Sequence, residues 1–317
     1  MSHRPSRPSK PNIGRTPWLL VCVSAFLLLQ TADAMVVWID TDPAIGAPWR
    51  EVDDAFALVY AFHSPDIQIA GISTSYGNAP LKRTTAVASE MVRRFAPAPV
   101  VVSPGARTAA DLGKATAADE ALARALRKER LTYFALGPLT NLATFARLHP
   151  GLVRQIECVI FVGGQSSRDS LRLGRGAWPK MHDANVLKDP ASVAEVLAAG
   201  WPITLAPPEI AAQLSITRHD MNELANSGPA GVFLRRGSAA WLWFWCDLIG
   251  RDGGPVFDVL PLVSLGNPKL VKLRAGFAAL DGELFFSRQP RPGARKITFY
   301  AAVKAEAKQR MLERLRR

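Results

Sequence analysis

The stretch MVVWIDTDPAIGAPWREVDDAFALVYAFHSPDIQIAGIST, residues 35–74, decides the architecture. An apolar run stops at Asp40, so residues 35–40 read as a strand buried on both faces. Val52 to His63 then carries apolar residues at helical spacing, and Ile67 to Ser73 returns to a strand. Strand, helix and strand in immediate succession mark parallel strands joined by a crossover. The beat continues outward through a helix at 81–95 and strands at VVVS (100–103), LTYFAL (131–136), CVIFVGG (158–164) and WPITLA (201–206). Helices starting at Thr116, Leu139 and Asp189 separate them. Residues 165–184 form an aperiodic Gly/Arg/Ser-rich loop, and 222–250 read as all-helical. Further strands are expected around 270–286 and 296–302, before a basic terminal helix. The predicted fold is α/β: a single Rossmann-like domain over residues 35–317, its mostly parallel central sheet flanked by helices, with a helical cap region. Ligands of such sheets bind at the carboxyl ends of the strands.

The composition agrees. A chain of 317 residues, 48% hydrophobic and 21% charged, can bury a real core, which excludes disordered and fibrous classes. The formal charge of +12 sits largely at the two ends, and no basic stripe interleaved with aromatics lies between them, so no nucleic acid polymer is expected as a partner. The apolar run Trp18 to Leu29 follows a basic, Pro/Ser-rich start and precedes Ala32-Asp33-Ala34, a small-x-small cleavage pattern. Residues 1–34 therefore read as a signal peptide, or as an uncleaved N-terminal anchor, and the body as exported, periplasmic or secreted. Taking four basic residues and Asp33 away from 39 Lys and Arg and 27 Asp and Glu leaves +9. Cys158 and Cys246 are too few for a disulfide framework and read as two buried thiols, with one bridge as the alternative.

The chemistry starts where the first strand stops. Asp40, Asp42, Asp53 and Asp54 converge near one strand end, at a cost in repulsion of several kcal/mol unless a cation neutralises them. Hard oxygen ligands without nearby His or Cys favour Ca²⁺ or Mg²⁺ over zinc. The bland alternative makes Asp53 a helix N-cap and Asp40 a turn residue, which leaves the other carboxylates unexplained. 

Together, DTDPAIG (40–46), EVDDAFAL (51–58), ISTSYGNAP (72–80), ALGPLTNLA (135–143), VGG (162–164), HDANVLKDP (182–190) and VFDVLPLV (256–263) resemble, in order, the inosine-uridine-preferring nucleoside hydrolase family. The resemblance covers nearly the whole chain after residue 34, and the aspartate cluster is its most specific element. It implies an N-glycosyl hydrolase of nucleoside catabolism that releases a nucleobase and ribose from ribonucleosides with a tightly held Ca²⁺. It also implies that Asp42 contacts the metal and acts as general base on its water. Asp54 and Asp258, the carbonyl of Leu136 and, in support, Asp40 complete the metal shell. Asp53, Asn78, Asp183 in place of the usual glutamate, and Asn185 bind the ribose. Members commonly form dimers or tetramers, so a homo-oligomer is expected, with membrane contact only through an uncleaved N-terminal segment. The physics agrees with these roles, because positive charge develops on the sugar as the glycosidic bond breaks and carboxylates around the ring favour that transition state.

The departures bear on substrate. Residues 44–52 lengthen the loop between the two aspartate pairs, which is expected to bulge outward, with Glu51 or Arg50 as candidates to enter the pocket. Phe257 stands where purine-active members often carry a histidine that assists base departure, and Ala177 where a sugar-binding asparagine is expected. Trp241 and Trp245 are candidates to stack on the base, or else members of a core stripe at i, i+4. His182 reads as a loop histidine or as a base-facing acid. Arg168, Arg172 and Arg175 suggest an acidic ligand or a solvated basic loop. Two rivals stand beside hydrolysis: a non-catalytic exported nucleoside or ribose binder on the same scaffold, and a phosphatase of the Asp-x-Asp type. Purine against pyrimidine preference stays open.

Overall fold

A computed structural model describes Met1 and residues 34–317; residues 2–33, nearly all of the expected signal or anchor segment, lie outside the described residues. The first half alternates strictly: β1 (Met35–Thr41), α1 (Asp53–Phe62), β2 (Ile67–Thr74), α2 (Leu81–Phe95), β3 (Val102–Pro104), α3 (Ala117–Leu126), β4 (Leu131–Ala135), α4 (Thr140–Leu148) and β5 (Ile156–Val162). After the irregular 165–183 loop come α5 (Ala184–Lys188), α6 (Pro190–Ala198), β6 (Ile203–Ala206) and α7 (Pro208–Ala211). The short β7 (Ser215–Thr217) and β8 (Gly253–Pro255) pair as an antiparallel ribbon that brackets α8 (Arg218–Ala225), α9 (Pro229–Gly237) and α10 (Ala239–Trp243). The chain closes with α11 (Val259–Gly266), β9 (Val271–Asp281), β10 (Glu283–Ser287), β11 (Arg295–Val303) and α12 (Glu306–Leu315).

The main sheet runs β10-β9-β11-β6-β5-β4-β1-β2-β3. Its pairings are parallel from β3 across to β11, and β9 and β10 are added antiparallel at one edge. The strand order reverses between β1 and β4, and at such a switch point the loops leave in opposite directions and open a crevice beyond the strand ends. The α/β sheet with flanking helices and a helical cap, α8 to α10, is the architecture the residue pattern predicts. Elements begin or end within a few residues of their expected limits. The clearest differences are the later start of β3 and the Arg218 start of the cap.

Burial explains the central strands and α1. Val37, Ile39 and Phe134 pack on the face that carries α1, and Trp38, Tyr133 and Phe161 fill the other. Every residue of α1 is buried, because the helix lies between the sheet and the helices α11 and α12. At its far end His63 Nδ1 lies 2.9 Å from the carbonyl of Arg314, and the Arg314 guanidinium reaches the His63 carbonyl at 3.5 Å and Asp66 at 3.4 Å. The 44–52 loop does not simply bulge outward. The Gly46 N–H donates to the Gly237 carbonyl (3.1 Å), Ile45 is buried, and only the tip is open, where Trp49 meets Trp243 edge-on at 5.6 Å. Cys158 and Cys246 are free and only partly buried, so neither a bridge nor a pair of fully buried thiols forms. No helix among the described residues is long and apolar enough to cross a membrane.

Candidate active site

Four elements aim acidic residues at the crevice. β1 ends at Thr41 and delivers Asp42 just beyond the sheet, and α1 starts with Asp53 and Asp54. The N-cap of α1 is Val52, which has no side chain to cap with, so Asp53 is the first helical residue rather than the cap. Two carboxylates in a first turn sit at the positive end of the helix dipole. From the opposite side the β8 strand leads to Phe257 and Asp258 ahead of α11. Asp53, Asp54 and Asp258 are buried, with one oxygen of each within 4.8 Å of the others. Asp40 and Asp42 are not part of this trio.

Asp42 is held rather than free. The Asn78 N–H donates to its Oδ2 at 2.6 Å, and the Asn78 amide reaches Asp42 Oδ1 at 3.4 Å and Asp54 Oδ2 at 3.1 Å. Asp54 Oδ1 accepts from the Thr41 hydroxyl and, at 3.0 Å, from the Asp42 N–H. The turn that carries Asn78 passes so close that a Cβ on Gly77 would lie 1.6 Å from Asp42 Oδ2. Burial, and then the neighbouring Asp54, push the carboxyls of Asp42 and Asp53 well above their ordinary range. Burial, then Asp53 and Asp54, do the same to Asp258, and burial raises Asp54. Such a cluster is a strained set of anions looking for a counter-charge. Its oxygen-only donors, with no sulfur or imidazole among them, fit a hard divalent cation.

Asp40, expected to support the metal shell, is held through one oxygen by its surroundings, while its buried Oδ2 has no hydrogen-bond partner among the described residues. Its Oδ1 accepts from Ser73 Oγ (2.6 Å) and Asn141 Nδ2 (2.8 Å), Trp38 Nε1 in turn donates to Ser73 Oγ (2.8 Å), and the group is completely buried behind Asp42. Burial pushes its pKa up to about 6. Asp40 thus braces strand and loop from below. Lys188, which motif reading did not single out, brings its ammonium to 3.9 Å from Asp42 Oδ2. The clue was available, since Lys188 follows Asn185 by three residues and so shares its face of α5.

The cavity next to the trio is lined on its polar side by Glu51, Asp53, Asn78, Asp183, Asn185 and Asp258, and on its apolar side by Leu171, Leu173, Met181 and Phe257. The carbonyl of Leu136 is at the wall and accepts from Asn185 Nδ2 at 2.9 Å; the same amide reaches the Val162 carbonyl at 3.1 Å. Asp183 caps α5 through the N–H groups of Asn185 and Val186 and also accepts from the Gly164 N–H at 2.6 Å. Burial raises its pKa to about 6 against those bonds. His182 lies on the rim, with Nδ1 2.9 Å from Glu283 Oε1.

The structure does not bring Trp241 and Trp245 to the cavity as stacking surfaces. Both are buried, Trp241 against Phe56 and Trp245 against Phe244 and Phe257, and neither lines the wall. Their i, i+4 spacing reports core packing. Trp241 acts at one remove instead, because its Nε1 donates to Glu51 Oε2 at 2.7 Å. Burial pushes Glu51 up to about 7. A Cβ on Gly254 would lie 2.3 Å from the Trp241 ring, so only glycine lets β8 pass over it. Arg168 and Arg172 pair with Asp281 and Asp169 on the surface, as members of a solvated loop, and Ala177 lies outside the cavity wall.

Comparison with known proteins agrees with this geometry. The chain is 26% identical over 272 residues to a pyrimidine-specific ribonucleoside hydrolase, RihA, of Enterobacter, covering 75% of this chain and 80% of that one. It is 27% identical over 216 residues to uridine nucleosidase 1 of Arabidopsis thaliana, covering 59% and 60%. Among solved structures it resembles the plant nucleoside hydrolase PpNRh1 (TM-score 0.76, 23% identity, 89% and 98% covered). A purine-preferring ribonucleoside hydrolase from Gardnerella vaginalis gives a TM-score of 0.74 at 18% identity, with 89% and 98% covered. These likenesses carry the fold, and the model of the inosine-uridine preferring nucleoside hydrolases matches residues 37–308, so this chain belongs to that family of enzymes.

Proposed function

We propose that the protein hydrolyses the N-glycosidic bond of ribonucleosides to a free nucleobase and ribose, with Asp42 as general base and Ca²⁺ as the resident cation. The observation that carries the reading is the buried trio Asp53, Asp54 and Asp258 beside a separately held Asp42. Asp42, Asp54 and Asp258 would hold the cation, with the Leu136 carbonyl as a further oxygen donor and Asp40 in support, and Asp53 beside them would bind the ribose. When bound, Ca²⁺ supplies Lewis acidity toward water and toward vicinal hydroxyls. Asp42 takes the proton of the attacking water, oriented by Asn78, and the ammonium of Lys188 partly offsets the burial that raises its pKa. Asn185 and Asn78 offer amides that both donate to and accept from ribose hydroxyls. Carboxylates around the ring favour the positive charge that develops on the sugar as the base departs. Phe257 has no proton to give, so at that position the base meets an apolar wall.

The test is release of base and ribose from a panel headed by uridine, the substrate class named for the curated relatives, with inosine alongside. Turnover that needs calcium, stops with chelator and falls at least about 10³-fold in Asp42→Asn is expected. Retained calcium affinity without turnover of any nucleoside would favour a binding protein on the same scaffold. Export and self-association belong to the same proposal and are checked by cell fractionation and by light scattering of the purified chain.

A further inference from the structure

We infer that Glu51, carried by the 44–52 loop, is the residue through which the cavity reads the base, its carboxylate accepting an N–H from the edge of a lactam-type nucleobase. The inference rests on the nucleoside hydrolase reading above and adds a specificity residue to it. Three observations on independent elements support it. The loop is anchored: the Gly46 N–H is bonded to the Gly237 carbonyl, and a Cβ on Gly237 would lie 2.4 Å from Ile45, so the turn is fastened to the end of α9. The side chain is oriented, because the buried Trp241 donates its Nε1 to Glu51 Oε2 at 2.7 Å. That bond uses one of about four acceptor positions on a carboxylate. The third observation is the shortage of other candidates. Glu51 itself lines the cavity, and the side chains around it are committed elsewhere.

Elimination around the wall leads to the same residue. Asp53 and Asp258 belong to the acidic trio, and Asp183 is occupied by three backbone N–H groups. Phe257 and the leucines of the wall have no polar side-chain atom, Asn78 and Asn185 are assigned to the ribose, and His182 is tied on one side to Glu283. Glu51 is left as an oriented acceptor. Uracil, hypoxanthine and guanine each present a ring N–H flanked by a carbonyl, whereas the corresponding ring nitrogens of adenine and cytosine are acceptors and would meet the carboxylate with lone pairs. A site that desolvates such a carboxylate discriminates strongly against a ligand that leaves it unpaired.

The experiment pairs an enzyme change with a substrate change. Full-length wild-type, Glu51→Gln and His182→Ala proteins are assayed with calcium on uridine and 3-methyluridine, and on inosine and 1-methylinosine. Methylation deletes the N–H, and its intrinsic effects on leaving group and bulk are the same for every enzyme, so the ratio of ratios isolates the contact. Glutamine is isosteric and keeps an oxygen for Trp241, which turns its NH₂ toward the base. The expected result is a methylation penalty in kcat/KM of tenfold or more for wild type, carried mainly by KM. It should persist in His182→Ala and fall to within about threefold of unity in Glu51→Gln. An unchanged penalty in Glu51→Gln, with turnover intact, overturns the inference alone. Calcium affinity measured by calorimetry is expected to be unchanged, and a tenfold weakening in Glu51→Gln would reassign the residue to the cation and overturn it. Absence of turnover by wild type on every nucleoside would overturn the underlying reading and this inference with it.

Discussion

Gly77→Ala tests whether the reaction depends on where Asp42 is held. The added methyl carbon would lie 1.6 Å from Asp42 Oδ2 and 2.6 Å from its Cγ, so carboxylate and methyl must separate by about 2 Å to reach ordinary contact. Asp42 has little room to retreat, since it is almost completely buried and already tied to the Asn78 N–H and, through its own N–H, to Asp54. The bond from the Asn78 N–H at 2.6 Å is the first to go. A hydrogen bond to a charged group contributes about 1.5–3 kcal/mol, or one to two decades in rate, and displacement of a reacting group by about 1 Å costs up to about 10²-fold. These effects overlap, so kcat/KM should fall at least about 10²-fold, mainly through kcat. Backbone strain needs its own control, because Gly77 has φ +156°. Gly282→Ala supplies it: that residue has φ +67° with nothing within 4 Å of an added Cβ, so it should lose about 1 kcal/mol of stability and no activity. Steady-state kinetics on uridine and inosine, with thermal denaturation of both variants, decide the matter. A folded Gly77→Ala enzyme within about threefold of wild type would refute the argument that Asp42 must stay in the Asn78 contact.

Calcium at about 100 times its Kd should stabilise the protein by about 2.7 kcal/mol, or roughly 5–10 °C in Tm, and Asp258→Asn should remove most of that shift in a thermal melt. The chelated protein should lose stability as pH rises. Asp40 and Asp183 are raised from 3.8 to about 6, so the favourable contribution of each is complete below about pH 4 and gone above about pH 6. Each is worth on the order of 3 kcal/mol over that window, and Asp40→Asn should flatten the urea-denaturation profile between pH 4.5 and 7 by about 2 kcal/mol. Arg251 donates to the carbonyls of Leu173 (2.7 Å) and Ala212 (3.0 Å), pinning the 165–183 loop against the cap. Arg251→Met should raise KM by about tenfold with kcat nearly unchanged, as expected when a cavity wall loosens and the reacting groups stay in place.

The β1-α1-β2 unit was legible because periodicity and burial coincide there: β1, buried from Val37 on, reads as an apolar run, and α1 beyond its two aspartates is apolar all round. Asp54, Asn78 and Asp258 were singled out through the family resemblance of DDAFAL, SYGNAP and VFDVLPLV, and periodicity alone did not mark them. What stayed open was decided by packing partners far along the chain. Asp40 and Asp42 are equivalent in sequence, and only the Ser73 and Asn141 partners, contributed by β2 and α4, turn the first into a brace. Trp241 and Trp245 obey a spacing that serves a core stripe as well as a stacking surface. Glu51 has no periodic signature, since its direction is set by a tryptophan 190 residues away.

That dependence on remote sequence is greatest where α12 closes over α1. The helix that begins with Asp53 and Asp54 is fastened at its other end to Arg314, a contact between residues 251 positions apart. Closing so long a loop is entropically costly, and contacts of this separation form late in folding. During synthesis the acidic centre is therefore seated only after almost the whole chain has emerged, so its assembly is timed by the last turns of polypeptide rather than by the strands that carry it.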